Sequence, residues 1–252
     1  MATYMSQPFQ PGVASVPTTK VELSISCRNL QDKDIFSKSD PMCVLFVKES
    51  DGEKYHEFGR TEMIKNTLNP DFVKKFVIDY RFEEIQKLKF EIYDIDTTSP
   101  RLQTHDFLGK MECTLGEIVS CQGTQFRRNL QGTRYHPSYI IVVSEEVGSC
   151  KELAIMQFLA IHLDKKDFFG KSDPFLCFYR CNEDNSYSVV HKTEVIKCTL
   201  NPTWKPFTIP VRRLCNGDYD RSIKVECYDW DSDGSHLIMS LEPPAPFLRL
   251  VH

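Results

Sequence analysis

Apolar and polar residues alternate along several short segments of this chain. In VELSISC, residues 21–27, every odd-numbered position is apolar and the positions between them are polar. LKFEIYD (88–94) and IKVECYD (223–229) alternate in the same way. Successive side chains of a β-strand point to opposite faces, so this period predicts strands with one buried face. Asn-Pro and Ser-Asp-Pro turn signals recur between such segments, and the sequence therefore predicts an all-β fold of sandwich type.

The chain repeats itself once. Three blocks return in the same order: DIFSKSDPMC (34–43) as DFFGKSDPFL (167–176), RTEMIKNTLNP (60–70) as KTEVIKCTLNP (192–202), and LKFEIYDID (88–96) as IKVECYDWD (223–231). The offsets are 133, 132 and 135 residues. Because order and spacing are both kept, the pattern indicates one duplicated domain.

The repeat predicts four segments: an N-terminal arm (1–19), a first domain (20–146), an incomplete second domain (150–236) and a divergent tail (237–252). The first copy continues for about 50 residues after Asp96, whereas 21 residues follow Asp231. Three prolines in the tail disfavour a central strand. We therefore expect the second sandwich to lack its last two strands and to be unstable; alternative splicing or a frame change would produce such a tail.

Aspartates recur at equivalent positions of the two copies. Asp34 and Asp40 are six residues apart and Asp94 and Asp96 are two apart; the second copy repeats both spacings with Asp167, Asp173, Asp229 and Asp231. Two like charges ~4 Å apart cost roughly 4 kcal/mol near a protein surface, so the clusters predict a bound cation. Calcium fits best, because it takes ~6–8 oxygen ligands in flexible geometry. Aspartate also favours turns, which is the alternative for any single residue.

Composition narrows the possible functions. The hydrophobic fraction of 41% and the charged fraction of 26% are typical of a soluble globular protein. A net charge of -4 disfavours nucleic-acid binding, which needs a basic surface. The sequence has neither an apolar run of membrane-spanning length nor a secretory signal, and its ten cysteines include no C-x-x-C pair. We therefore expect a cytoplasmic protein with reduced thiols.

These features together resemble a tandem pair of C2 domains. The Ser-Asp-Pro motifs, the TLNP segments and the Tyr-Asp-x-Asp loops match that family, and FGRTE (58–62), the paired KSDP motifs and YDWDSDGSH (228–236) are similar to the copines. The resemblance implies two eight-stranded C2 β-sandwiches, the second without its last strands. Copines also carry a von Willebrand type A domain, which this sequence does not contain.

The resemblance implies a calcium-dependent phospholipid-binding protein with about two calcium ions per intact C2 domain. The first site would use Asp34, Asp40, Asp94, Asp96 and, as fifth ligand, Asp106 in HDFLG. The second site would use Asp167, Asp173, Asp229 and Asp231, with Asp233 as a poor substitute for the missing fifth ligand. Phe36, Lys38, Phe168, Phe169 and Lys171 would contact the membrane, although packing and solvation are their alternatives.

The expected partner is an anionic membrane, to which calcium would recruit the protein from the cytoplasm, the plasma membrane being the main target. The nucleus and additional protein partners remain open. We expect no enzyme activity, because Cys121 and Arg127 have only the C-x5-R spacing of cysteine phosphatases, without the flanking His and Ser or Thr. The remaining alternative is a calcium-independent protein-interaction module on the same sandwich.

Overall fold

The computed structural model describes residues 18–34, 37–48, 52–121, 124–133, 136–164, 171–231 and 234–242. Within these residues it confirms the predicted all-β fold, with fourteen strands and two α-helices of five residues each. The strands form two sandwiches in tandem, as the sequence repeat predicts. No helix of the described part has the length and apolar character that crossing a bilayer requires.

The described residues of the first sandwich form eight strands: β1 (Thr18–Arg28), β2 (Pro41–Lys48), β3 (His56–Arg60), β4 (Phe76–Arg81), β5 (Lys87–Asp94), β6 (Asp106–Thr114), β7 (Phe126–Asn129) and β8 (Tyr139–Glu146). They form two antiparallel sheets, with the orders β4-β1-β8-β7 and β3-β2-β5-β6. Leu23, Leu45 and Phe90 are fully buried in the core. The helix α1 (Leu115–Val119) begins at a capping box, in which Thr114 Oγ1 accepts from the Glu117 N–H.

Strand β1 departs from the prediction of one solvated face. Glu22 and Ser24, which alternate with its core residues, are also buried, at 8% and 5% exposure. The reason is the second domain, which packs against the outer face of this sheet. Its Arg180 places a guanidinium nitrogen 3.1 Å from Glu22 Oε1 and 3.2 Å from Glu145 Oε2.

Further polar contacts join the two domains. Arg221 donates to both carboxylate oxygens of Glu145, at 3.0 and 2.9 Å. Near the junction, Asn216 Oδ1 accepts from the Gly148 N–H at 2.9 Å, and Asn216 Nδ2 donates to the Glu146 carbonyl at 2.7 Å. The side chains of Arg180 and Glu145 are each 2% exposed, so these charges interact in surroundings from which bulk water is excluded.

The second sandwich has six strands within the described residues: β9 (Leu153–Met156), β10 (Pro174–Cys181), β11 (Tyr187–Lys192), β12 (Phe207–Pro210), β13 (Ile223–Asp231) and β14 (Gly234–Leu241). One sheet has the order β11-β10-β13-β14, and β12 pairs with β9 in the other. Helix α2 (Val211–Cys215) follows β12. Trp204 and Phe178 are buried in the core. Counterparts of β7 and β8 are not among the described strands. Residues 243–252 lie outside the described part of the chain, so the loss of two strands stays a prediction.

Strand β14 runs across residue 237, where the sequence predicts the start of a divergent tail. It pairs with β13 as far as Leu241, in the place that β6 takes beside β5 in the first domain. The sequence does not reveal this strand, because the second copy lacks the aspartate and glycine of HDFLG. Main-chain groups make the hydrogen bonds of a β-ladder, so the pairing survives the change of side chains.

Candidate metal centre

Backbone hydrogen bonds organise the acidic loop end of the first domain. Asp94 is the last residue of β5, and Asp40 directly precedes β2, the antiparallel neighbour of β5. The Asp40 N–H donates to Asp94 Oδ1 at 2.6 Å, and the Ile95 N–H donates to the Asp40 carbonyl at 3.1 Å. These bonds tie the first aspartate loop to the second, so the two aspartate pairs meet at one end of the sheet.

Three of the five predicted ligands of the first site converge. Carboxylate oxygens of Asp34, Asp94 and Asp96 all lie within 4.8 Å of one another. Ser37 Oγ donates to Asp34 Oδ2 at 2.8 Å, which orients this carboxylate without neutralising it. Negative groups at such separations repel one another, and a cation among them would remove the repulsion.

Asp94 is the member of this cluster that would gain most from a cation. It is 1% exposed, and its Oδ2 is buried with no hydrogen-bond partner among the described residues. Burial raises the pKa of Asp94, and the charges of Asp34 and Asp96 add to the rise, against hydrogen bonds with Ser39 and Asp40. A buried carboxylate oxygen without a partner is costly, and a cation bound at this oxygen would offset that cost.

The other two predicted ligands border the cluster. Asp40 Oδ1 accepts from the Asn66 N–H at 2.7 Å, so this oxygen stabilises the turn before the TLNP segment. Asp106 is the first residue of β6 and lies opposite Asp94 in the register of β5 and β6, with its side chain exposed. Neither belongs to the group of three carboxylates within 4.8 Å, although both lie at the same end of the sandwich.

The second domain repeats the backbone frame of this site. The Asp173 N–H donates to Asp229 Oδ1 at 2.6 Å, as Asp40 does to Asp94. Asp229 is fully buried, and its Oδ2 has no hydrogen-bond partner in the described part of the chain. Asp231 Oδ2 lies 3.5 Å from His236 Nε2. Asp167 and Asp233 fall outside the described residues.

Lys197 belongs to the second site, although the aspartate pattern does not reveal it. Its Nζ lies 2.7 Å from Asp173 Oδ2 and 3.8 Å from the centre of the Trp230 ring. Burial alone would raise the pKa of Asp173, but the Lys197 ammonium group and the Cys198 N–H outweigh it, so the pKa of Asp173 is lowered. The ammonium group therefore already compensates one of the carboxylates that a metal ion would need.

The lysine at the corresponding position of the first domain, Lys65, has different surroundings. Lys65 takes the position of Lys197 in the repeat and is exposed, and Ile95 takes the position of Trp230. No ion pair between Lys65 and Asp40 occurs in the described structure. An indole ring attracts an ammonium group and an isoleucine does not. The difference between Ile95 and Trp230 is therefore one sequence signal that distinguishes the two sites.

The predicted membrane contacts are described only in part. Lys38 and Lys171 are exposed near the two loop ends, and the Lys38 N–H donates to Asn66 Oδ1 at 2.8 Å. Phe36, Phe168 and Phe169 fall outside the described residues. Contact of all five residues with a membrane stays a prediction.

Residues 20–130 and 151–241 match the family model of the C2 domain. Among solved structures, the calcium-bound C2A- and C2B-domains of Extended-Synaptotagmin 2 are 18% identical with a TM-score of 0.41, covering 91% of this chain and 84% of that one. BON1-C2B is 24% identical with a TM-score of 0.41, covering 54% of this chain and 99% of that one. Human GIVD cytosolic phospholipase A2 is 17% identical with a TM-score of 0.38, covering 90% of this chain and 29% of that one.

Proposed function

The chain belongs to the C2 domain family, and we propose that it is a copine-like, calcium-dependent phospholipid-binding protein in which the first domain is the main calcium site. The observation that carries this proposal is that carboxylate oxygens of Asp34, Asp94 and Asp96 lie within 4.8 Å of one another in the first domain, around an Asp94 Oδ2 that is buried and has no hydrogen-bond partner among the described residues. The first site would be formed by Asp34, Asp40, Asp94, Asp96 and Asp106. Asp167, Asp173, Asp229 and Asp231 would form a weaker second site, because Lys197 pairs with Asp173.

The donor set of the first site fits calcium. All five candidate ligands are carboxylates, and calcium accepts ~6–8 oxygen ligands without strict geometry. Magnesium suits the site less, since it demands octahedral geometry and keeps several waters. Bound calcium would supply positive charge and open coordination positions for lipid phosphate. The number of ions, about two in an intact C2 domain, is part of the proposal.

The side chains of the first domain would act as an electrostatic switch. Without calcium, Asp34, Asp94 and Asp96 make this loop end negative and oppose its approach to an anionic membrane. With calcium bound, the exposed Lys38 beside the site would add to the attraction for lipid headgroups, and Phe36 would insert. Recruitment from the cytoplasm to the plasma membrane would then follow the calcium concentration.

Isothermal titration calorimetry of the intact chain tests calcium binding directly. We expect a binding heat with calcium that magnesium at the same concentration does not produce. The matched control is Asp79→Asn, because Asp79 is an exposed carboxylate on β4 that pairs with Lys20 at 2.7 Å; this variant should titrate like the unaltered chain. Membrane binding by a chain that shows no heat with calcium would instead favour the calcium-independent interaction module.

Replacing Lys197 with glutamine should strengthen calcium binding at the second site about two- to fivefold, because the ammonium group no longer competes for Asp173. The effect is modest since the Lys197 side chain is 60% exposed, and exposed ion pairs contribute ~0.2–1 kcal/mol. Calcium titration of Lys197→Gln in an Asp94→Asn/Asp96→Asn background measures the second site alone. Lys65→Gln is the control; unchanged or weaker binding in Lys197→Gln contradicts the competition.

A further inference from the structure

A small polar cavity lies between the two domains. Its volume is about 60 Å³; a single water needs ~10–15 Å³, so the cavity has room for several waters or one small ion. One wall is the outer face of the sheet that contains β1, with Ser24, Ser26 and Arg28, and the opposite wall is the segment 186–189 at the start of β11. Within the described structure, none of the candidate calcium ligands lines this cavity.

The charged groups in the lining leave one positive charge uncompensated. They are Arg28, Lys75 and Asp71, two positive and one negative. Arg28 donates to Asp71 Oδ1 at 2.7 Å, so these two compensate each other. Lys75 Nζ donates at 3.4 Å to the Phe72 carbonyl and forms no ion pair with a carboxylate of the described residues. An ammonium group between two domains without a negative partner is unfavourable.

The cavity also presents hydroxyl groups that are able to donate hydrogen bonds. The hydroxyls of Ser24 and Ser26 have no hydrogen-bond partner in the described part of the chain, although Ser24 is only 5% exposed. On the opposite wall, Ser188 Oγ accepts from Asn182 Nδ2 at 2.8 Å, which leaves its own proton for another acceptor. Both walls therefore offer donors, and the lining contains one unpaired cation.

The ionisation of Lys75 indicates that its surroundings lack negative charge. Burial and, to a lesser degree, the charge of Arg180 lower the pKa of Lys75 to about 7. The carboxylates of Glu22, Glu62 and Asp71 act in the opposite direction but do not restore the ordinary value. A bound anion would favour the ammonium form, so anion binding and protonation of Lys75 are coupled.

We propose that this cavity binds a small tetrahedral oxyanion of the phosphate class, held by Lys75, Ser24 and Ser26 of the first domain and by Ser188 of the second. Phosphate oxygens are strong acceptors that point in several directions, which suits donors on two opposite walls. The small volume favours the free ion over a lipid headgroup that carries the same group. An anion that contacts both domains would stabilise their association by mass action. This site does not depend on calcium.

Calorimetric titration of the full chain with inorganic phosphate, in chelator, tests the proposal. We expect saturable binding that Lys75→Gln weakens at least about tenfold, because the ion pair with the anion is lost. Lys74→Gln is the matched control: it removes the same charge from the neighbouring exposed lysine and should bind phosphate like the unaltered chain. No saturable binding by the unaltered chain, or equal affinity in Lys75→Gln, overturns the proposal.

A second measurement on the unaltered chain does not depend on the folding of a variant. It uses sulfate, whose charge is constant between about pH 6 and pH 8, and the described lining contains no histidine. Since the ammonium form of Lys75 binds the anion and its pKa is about 7, sulfate affinity should fall about tenfold as the pH rises through this range. Sulfate affinity that does not change with pH overturns the proposal.

Liposomes that contain phosphatidic acid distinguish the free ion from a lipid headgroup. In chelator, the unaltered chain and Lys75→Gln should pellet with them to the same extent, because the cavity lies between the domains. Weaker pelleting of Lys75→Gln than of Lys74→Gln, together with no binding of inorganic phosphate, would assign the site to a lipid headgroup and overturn the proposal.

Discussion

Asp94→Asn/Asp96→Asn should reduce calcium affinity of the first domain at least about 100-fold. Each substitution removes one negative charge and keeps the size of the side chain. A unit charge ~4 Å from another contributes roughly 4 kcal/mol near a protein surface, and ~1.4 kcal/mol already corresponds to a tenfold change in affinity. Calcium titration by calorimetry measures the loss. Calcium affinity equal to that of the unaltered chain would contradict the assignment of the site.

The stability of the same variant separates loss of binding from loss of fold. Burial and neighbouring charges raise the pKa of Asp94, so its ionised form is disfavoured in the calcium-free protein. Asparagine removes this charge and still offers an oxygen to the Asp40 N–H. Without calcium, we therefore expect the variant to melt at the same temperature as the unaltered chain or higher. With calcium, only the unaltered chain should gain stability, by mass action.

Arg180→Ala is expected to separate the two domains. The substitution leaves the carboxylates of Glu22 and Glu145 facing each other in surroundings that exclude water, and removing one partner of a buried ion pair costs ~3–5 kcal/mol. Arg221 still pairs with Glu145, but Glu22 keeps no such partner in the described structure. Domain separation lets water solvate both groups. Small-angle scattering should show a larger radius of gyration, and urea unfolding an earlier first transition.

The matched control for Arg180 is Lys20→Ala, which breaks the ion pair with Asp79. That pair has a similar distance of 2.7 Å, but its side chains are 62% and 50% exposed, so its loss should cost at most ~1 kcal/mol. An Arg180→Ala chain with an unchanged radius of gyration and unfolding curve would show that the ion network does not hold the domains together.

The fold follows from patterns that are local in the sequence. Alternation in VELSISC predicts one core-facing row in β1, and the three repeated blocks predict the second sandwich. The burial of Glu22 and Ser24 on the other face of β1 does not follow, because it depends on how one domain packs against the other. The sequence does not predict β14 for a related reason. Main-chain groups make its pairing with β13, and their hydrogen bonds do not depend on the side-chain pattern.

The candidate site is predictable in composition but not in geometry. Spacing selects the aspartates, because repetition in register is improbable for turn residues alone. Spacing does not predict that the carboxylates of Asp34, Asp94 and Asp96 converge while Asp106 stays exposed. This arrangement depends on the conformation of the loops. The contact between Lys197 and Asp173 does not follow from the aspartate pattern either, because both copies have a lysine at this position; the tryptophan that the ammonium group contacts is present in the second copy alone.

Co-sedimentation with phosphatidylserine liposomes tests the central claim most directly. The unaltered chain and Asp94→Asn/Asp96→Asn are compared in calcium and in chelator, with Asp79→Asn as the control. We predict that the unaltered chain and the control pellet with liposomes in calcium only, and that the double variant stays in the supernatant in both conditions. Pelleting that is the same with calcium and chelator, or equal in the double variant, would contradict a calcium switch in the first domain.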